Sequence, residues 1–600
     1  MHRGLVVAAL ALGAAVAAPG ASGAGPFAPC APNGLECATI TVPLDYSGAT
    51  PGQLSLHVEE LPAAGAPRGV MFLLAGGPGQ ASASTFDLAH QGAYWQSFFP
   101  GYTLATYDDR GTGQSGALAC DPSGTVDQCG NSLGSRAFYT TRDHAEDLES
   151  VRVALGVDKI AVYGVSYGTR HAIAYALAHP DHVERLLLDS EDLPQRDFFG
   201  LTSLQTIPAS VDRICAAEAC PSLPSTIGEE LARYANTRHD SPLSVDLTLI
   251  PSSPTSVRID GDRLVGLAYE SDLSSGVSSE LPAAVDAAVH GWTLPLARLE
   301  ALYDVVEQAT SSDINSALYY ATTCGDGPFP WAPADPVQMR LAELTSAIAT
   351  LPSGATGLLG SWAVLDSAPI GCAFWPAPSG GAALGPGPLP DVPTLVLSGD
   401  RDIRTPTSAA VQIASLFPQG HVLVVPGSGH AVLGRSPCAA TAVQTWLDGA
   451  ATPTSCPRIA VGVPPLGRWR RTVGATPPAA RVAGLPGRTL AALVQTLHDA
   501  EDAWLLSRQS TTTVRGLVGG TLVPDAVKTL RLAGYSSVGG LAVSGTVVLR
   551  LAGNGQPVIP LTAANGTLTV TGSGASHGVV KLSGNRLTGT LGGRKISAGV

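Results

Sequence analysis

The sequence predicts an α/β fold: a mostly parallel sheet interrupted by a largely helical insertion, followed by a small all-β module. Three observations carry this. Between residues 69 and 190, apolar runs such as "GVMFLLAGG", "YTLATYDD", "KIAVYG" and "VERLLLDS" alternate with helix-like stretches such as "TTRDHAEDLESVRVALG" and "SYGTRHAIAYALAHP". Strands that are apolar throughout are buried on both faces, as in a parallel sheet covered by helices. The alternation stops near Phe198 and resumes after Pro388 with "VPTLVLSGDRDIRTP", "SAAVQIASLFP" and "GHVLVVPGSGHAVL". Beyond Cys456, Val, Leu and Thr alternate with Gly and Asn, the pattern of short antiparallel strands.

The chain opens as an exported protein does. Arg3 forms a short positive region, Leu5 to Ala18 an apolar one, and Ser22-Gly23-Ala24 a cleavage site of small residues. Residues 1–24 therefore read as a signal peptide, too short in its apolar part for a membrane span. Ten cysteines agree with an oxidising compartment. Their order suggests neighbouring pairs: Cys30–Cys37, Cys120–Cys129, Cys215–Cys220, Cys324–Cys372 and Cys438–Cys456. No histidine joins them at a zinc spacing, so neither a metal nor another cofactor is expected.

From residue 25 the first part of the core runs to 197. "LECATITVPLDYSGA" and "GQLSLHVEELPA" alternate like two paired strands, and Thr141 is placed to cap the helix that follows "FYT". Residues 198–388 form the insertion, expected to cover the carboxyl edge of the sheet, and 389–458 complete the core. Residues 459–485, rich in Pro, Gly and Arg, read as a linker, and 486–600 as a helix plus the β module. The net charge is −13, which argues against a nucleic-acid binder. From Arg481 onward there are 11 Lys+Arg against 4 Asp+Glu, so this module is basic and could meet an anionic cell surface.

The chemistry starts at "GVSYG", Gly164 to Gly168. A serine between a strand end and a helix start, flanked by glycines, fits a sharp turn that lifts its hydroxyl out of the sheet. Ser166 is then the candidate nucleophile, and the N–H of Tyr167, opening the helix, can face a developing oxyanion. A serine hydroxyl needs a base held by an acid. On such a sheet they follow in the order Ser, Asp or Glu, His. Asp402 in "SGDRDIRTP" and His430 in "GSGHAVL" fall in loops after strands and in that order, with Asp400 the alternative acid. The "LLAGGPGQ" loop offers Gly77 as the second oxyanion donor. Asp109 and Arg110 in "DDRGTGQS" read as a salt-bridged brace.

Together, "GGPG" (Gly76–Gly79), "DRGTGQS" (Asp109–Ser115), "GVSYG" (Gly164–Gly168), "DRDIRTP" (Asp400–Pro406) and "GSGH" (Gly427–His430) resemble the α/β-hydrolase serine exopeptidases of the proline iminopeptidase and tripeptidyl aminopeptidase group. The resemblance spans roughly residues 36–458. It implies an α/β-hydrolase core with Ser166 as nucleophile, Asp402 as acid, His430 as base, and Gly77 and Tyr167 as the oxyanion hole. "CAFW" at Cys372 and Cys438 look like the secreted actinobacterial tripeptidyl branch. Ala75 stands where proline iminopeptidases usually carry a histidine before "GGPG", and the all-β tail lies outside the pattern.

The expected function is a secreted serine aminopeptidase acting on peptide N-termini. The alternative is a secreted esterase or lipase with the same triad, since both reactions are acyl transfers to Ser166. A non-catalytic binding protein on this scaffold would have no use for the full Ser, Asp, His set. An aminopeptidase needs a carboxylate for the substrate's α-ammonium group, and Glu191, Asp192 and Asp326 are the candidates.

Overall fold

In the computed structural model, the described residues are 26–191, 197–216, 220, 222–250, 253–376, 389–459, 465–479, 481–507, 513–525, 529–549, 564–584 and 586–599. The expected signal peptide and Asp192 lie outside them.

Among the described residues the core sheet has nine strands: β1 (Ala28–Pro29), β2 (Glu36–Pro43), β3 (Gln53–Leu61), β4 (Gly69–Leu74), β5 (Tyr102–Tyr107), β6 (Ile160–Val165), β7 (Val183–Asp189), β10 (Thr394–Gly399) and β11 (Gly420–Val425), with β8 (Leu243–Ile250) and β9 (Ser253–Ile259) in the insertion. Their spatial order is β1-β2-β3-β5-β4-β6-β7-β10-β11. The first strands pair antiparallel, with Cys37 opposite Glu59, and every pair from β5 onward is parallel. In β4, Val70, Phe72 and Leu74 face one apolar layer while Met71 and Leu73 face the other. That two-sided burial is why the central strands read as unbroken apolar runs. Helices Thr141–Leu155, Tyr167–Ala178 and Thr407–Leu416 cover the first face. Phe86, Leu88, Phe98 and Val443 cover the second.

The helix cap expected at Thr141 belongs to Thr140, in a reciprocal pair with Asp143. Thr141 turns inward to other partners.

The insertion between β7 and β10 is mostly helical but also holds an antiparallel hairpin, β8 (Leu243–Ile250) with β9 (Ser253–Ile259). "LSVDLTLI" has the required period of two; the surrounding Ser and Pro hide it in the sequence. Helices Gly261–Glu270 and Ser275–Val289 meet at a turn containing Asp272.

The C-terminal strands β12 (Val514–Arg515), β13 (Gly519–Asp525), β14 (Thr529–Ser536), β15 (Ala542–Val548), β16 (Asn565–Thr571), β17 (Gly578–Ser583), β18 (Arg586–Leu591) and β19 (Arg594–Gly599) form an eight-stranded antiparallel sheet in sequence order. Helix Gly484–Ser507 packs Leu490, Leu493, Leu497 and Trp504 into the same apolar cluster as Leu532, Val543 and Leu568 of the sheet and Leu281, Leu296 and Leu299 of the insertion. Arg298 of the insertion is buried against Asp499 at 3.4 Å and donates to the carbonyl of Arg515. The expected linker is pinned as well: Arg468 pairs with Asp286 through two bonds of 2.7 and 2.9 Å, and Leu466 and Trp469 pack on Ala283 and Ala287.

All ten cysteines are paired as neighbours: Cys30–Cys37, Cys120–Cys129, Cys215–Cys220, Cys324–Cys372 and Cys438–Cys456. Among the described residues no helix is long and apolar enough to cross a membrane.

Candidate active site

Ser166 sits between β6 and helix Tyr167–Ala178 with φ 56° and ψ −127°. This is a left-handed conformation that a side-chain-bearing residue adopts only under strain. The flanking glycines are required by close approach. A Cβ on Gly164 would stand 2.3 Å from the carbonyl oxygen of Gly168, and one on Gly168 would stand 2.3 Å from that of Leu74. Gly76 of "GGPG" is equally constrained, since its Cβ would come within 2.9 Å of Ser166 Cβ. The glycines thus press the "GGPG" loop and the helix start against the serine.

Asp402 and His430 meet in the loops after β10 and β11. His430 Nδ1 lies 3.0 Å from Asp402 Oδ2 and 3.2 Å from Oδ1. The Thr405 backbone N–H donates to Asp402 Oδ1 at 2.9 Å and its hydroxyl to Oδ2 at 2.7 Å. Burial works against charge on both groups, but the pairing outweighs it. The His430 pKa stands above its ordinary value, raised chiefly by Asp402, and the Asp402 carboxyl is held below its ordinary value by His430 and Thr405. Asp400, the alternative acid, accepts from the N–H of Gly427 at 2.7 Å and faces Arg458 at 3.4 Å, so it braces the β10–β11 loops.

Two residues that the sequence did not single out fix the histidine loop. Asp189, ending β7, accepts the N–H groups of Val432 and Leu433 at 2.8 and 2.9 Å. Asp272 of the insertion accepts the N–H of His430 on its carbonyl at 3.0 Å. Its carboxylate accepts the N–H groups of Ile403 and Arg404 at 2.9 and 3.2 Å and pairs with the Arg404 guanidinium.

Gly77, Ser166 and Tyr167 line one cavity of about 350 Å³. Tyr167 begins its helix, so its N–H has no partner within the helix, while its ring turns inward, its hydroxyl bonded to Thr141 and His144. The cavity wall also carries Glu191, Asp197 and Asp366. Arg404 is the one cation among the described lining residues, and it is committed to Asp272. Burial, with Asp262 and Asp260 behind it, pushes the Asp366 carboxyl up to about 7. Asp197 and Asp366 lie in loop and short-helix stretches whose approach to Ser166 only the folded insertion creates.

Asp326 does not line this cavity. It accepts the Thr141 N–H at 3.0 Å and its hydroxyl at 2.5 Å, and stands 3.7 Å from Arg170, a supporting place behind Tyr167. The expected Asp109–Arg110 brace is also corrected. Arg110 pairs with Asp147 through bonds of 2.6 and 2.7 Å and donates to three backbone carbonyls, whereas Asp109 faces His171. A guanidinium's planar fork matches a carboxylate held on the facing helix, which its sequence neighbour cannot offer.

A strand-to-helix serine turn, a histidine–aspartate pair and a mostly parallel sheet define a serine hydrolase of the α/β-hydrolase fold. Comparison places the chain within that class: a family model described as alpha/beta hydrolase fold matches residues 69–236, and one described as TAP-like protein matches residues 362–456. The chain is similar to tripeptidyl aminopeptidases and to related serine peptidases. The tripeptidyl aminopeptidase of Streptomyces lividans is 26% identical over 506 residues, covering 73% of this chain and 87% of that protein. Serine protease Hip1 of Mycobacterium tuberculosis (strain H37Rv) is 26% identical over 478 residues, covering 71% and 87%. A proline iminopeptidase of Xylella fastidiosa is 33% identical over 87 residues, 14% of this chain and 23% of that protein.

Proposed function

We propose that this protein is a secreted serine aminopeptidase that releases short peptides or amino acids from peptide N-termini. The Ser166 hydroxyl attacks the scissile carbonyl while His430 takes its proton, and Asp402 holds the imidazole and stabilises its charged form. The N–H groups of Gly77 and Tyr167 receive the developing oxyanion. The proton then passes from His430 to the leaving amine, and water repeats the sequence on the acyl-enzyme.

The observation that carries the peptidase reading is the charge of the cavity. Glu191, Asp197 and Asp366 share it with Ser166, and Arg404, the one cation among its described lining residues, is occupied by Asp272. Carboxylates there stabilise an α-ammonium group and offer nothing to the acyl chain of a lipid ester. The relatives named aminopeptidase and serine protease support the same reading. Five disulfides support export.

The test compares peptidyl amides with free and N-acetylated amino ends, beside short-chain esters. Acetylation removes the charge, and turnover is expected to fall by at least about tenfold, which corresponds to roughly 1.4 kcal/mol. Equal turnover of free and blocked amides, or activity on esters alone, overturns the assignment.

A further inference from the structure

Behind the Ser166 turn lies a second buried cluster that acyl transfer does not use. Asp109 follows β5, His144 lies on helix Thr141–Leu155 and His171 on helix Tyr167–Ala178. All three are buried, and one ligating atom from each lies within 4.8 Å of the others. Asp109 Oδ1 and His171 Nδ1 are 3.5 Å apart. Asp109 Oδ1, His144 Nε2 and His171 Nδ1 are each without a hydrogen-bond partner.

Counting donors shows what these atoms are. The Asp326 carboxylate can only accept, so the Thr141 hydroxyl donates to it. The Tyr167 hydroxyl, 2.7 Å from Thr141 Oγ1, therefore donates to Thr141. The Tyr167 oxygen in turn accepts from His144 Nδ1–H at 2.9 Å. The proton of neutral His144 is thereby placed on Nδ1, leaving a bare lone pair on Nε2. The Tyr107 hydroxyl donates to the backbone carbonyl of His144 at 3.1 Å and so accepts from His171 Nε2–H at 3.3 Å. His171 Nδ1 is bare as well. Two imidazole lone pairs and a carboxylate oxygen share one buried site with no hydrogen among them. A proton on Asp109 satisfies one contact and a water molecule donates to two, so without metal the site needs both at once, whereas a single cation satisfies all three.

The charge balance agrees. Asp109 is buried, Asp147 and then Asp108 add negative charge beside it, and Arg110 is already paired with Asp147. Each ring's far N–H is held by a tyrosine oxygen, the outer-shell arrangement that orients metal-binding histidines. Two imidazoles and a carboxylate suit zinc and other divalent first-row transition ions.

We propose that Asp109, His144 and His171 form a structural site for a divalent first-row transition cation, with zinc the best match to the donors. The ion would tie the turn after β5 to both helices and so support the helix that begins at Tyr167. Because the site is closed, it fills as the chain folds.

The probe is Zn²⁺. Full-length protein, with its disulfides intact, is unfolded and refolded with Zn²⁺ or with chelator, passed over chelating resin and analysed for metal and melting temperature. The expected result is about one retained zinc per chain and a higher melting temperature for the zinc-refolded protein. His171→Asn and Asp109→Asn should lose the ion. Tyr107→Phe, which keeps the ring and removes only the outer-shell oxygen, should weaken zinc binding about 10–100-fold. Among the described residues two other groups lie within reach of a metal: Cys37, His57 and Glu59, where Cys37 is held in a disulfide, and Glu149, His179 and His182, already engaged with Arg152, Tyr175 and Glu146. His182→Asn should therefore retain the zinc. If the wild-type protein holds no zinc and melts at the same temperature under both conditions, a shared proton or a water fills the gap and the proposal fails. It also fails if His182→Asn loses the ion as His171→Asn does.

Discussion

The backbone N–H of His430 donates to the backbone carbonyl of Asp272, 3.0 Å away and within the inserted segment. The candidate base is thus held by the insertion as well as by its own strand. The Asp272 carboxylate reaches around to Ile403 and Arg404, the two residues after Asp402. It also adds negative charge near the imidazole, behind the larger effect of Asp402. Asp272→Asn should lower kcat more than it raises KM, by at least about tenfold, and cost roughly 1–3 kcal/mol of stability through the donors it leaves unpaired. His430 acts as a base only when neutral, so kcat falls as pH drops through its pKa. Removing the nearby charge destabilises the imidazolium, so this acidic limb should move to lower pH. A kcat–pH profile with urea melts on the same variant checks both effects; an unmoved limb would leave Asp272 a purely structural role.

Ser166→Ala should reduce kcat by about 10⁶ while the protein stays folded. Ser166→Gly should be as inactive yet more stable than Ser166→Ala, by roughly 1 kcal/mol, because glycine tolerates φ 56°. Equilibrium unfolding of the two inactive variants side by side measures the strain held at this turn.

Asp402→Asn should lower kcat by roughly 10⁴, as expected for an acid that orients and charge-stabilises the histidine. Asp400→Asn removes only a brace to Gly427 and Arg458 and should act mainly on stability. Steady-state kinetics on the pair would reassign the acid if the ranking were reversed.

Asp366 gives a separate pH signature. Its carboxyl, pushed up to about 7 by burial, becomes protonated and neutral as the pH falls below that value. Under the proposed function its attraction for a substrate's α-ammonium group then disappears. KM for free-amino peptides should rise below about pH 7, while KM for their acetylated forms stays flat, and Asp366→Asn should abolish the difference. A KM that is flat for both substrates in the wild type would remove Asp366 from substrate binding.

What could be read from the sequence was what is local in the chain. "GVSYG" and the Asp402 and His430 loops each carry their turn chemistry within a few residues, and the buried strands announce themselves by unbroken apolar runs. The disulfides were legible for the same reason: Cys215–Cys220 closes five residues and even Cys324–Cys372 only 48. Asp272 was not legible, because its partners Ile403 and Arg404 lie 131 and 132 residues away. Arg110 reads as the partner of its neighbour Asp109 because adjacency is all a sequence displays, while its actual partner Asp147 comes from helix Thr141–Leu155. The cluster of Asp109, His144 and His171 has no metal-ligand spacing, since each residue comes from a different element.

The common core of the insertion and the C-terminal module has a mechanical consequence. Leu281, Leu296 and Leu299 on one side and Leu493, Leu497 and Leu532 on the other belong to a single apolar cluster, and Arg298–Asp499 and Arg468–Asp286 fasten its edges. Swinging the insertion outward would bring that interior into water at about 25 cal/mol for every Å² exposed and unpair buried charges besides. The wall facing Ser166 is therefore backed like a masonry face by a buttress. Under the proposed aminopeptidase function this wall would gauge the length of an incoming peptide, and a chain cut after residue 459 should lose that discrimination before it loses the capacity to cleave.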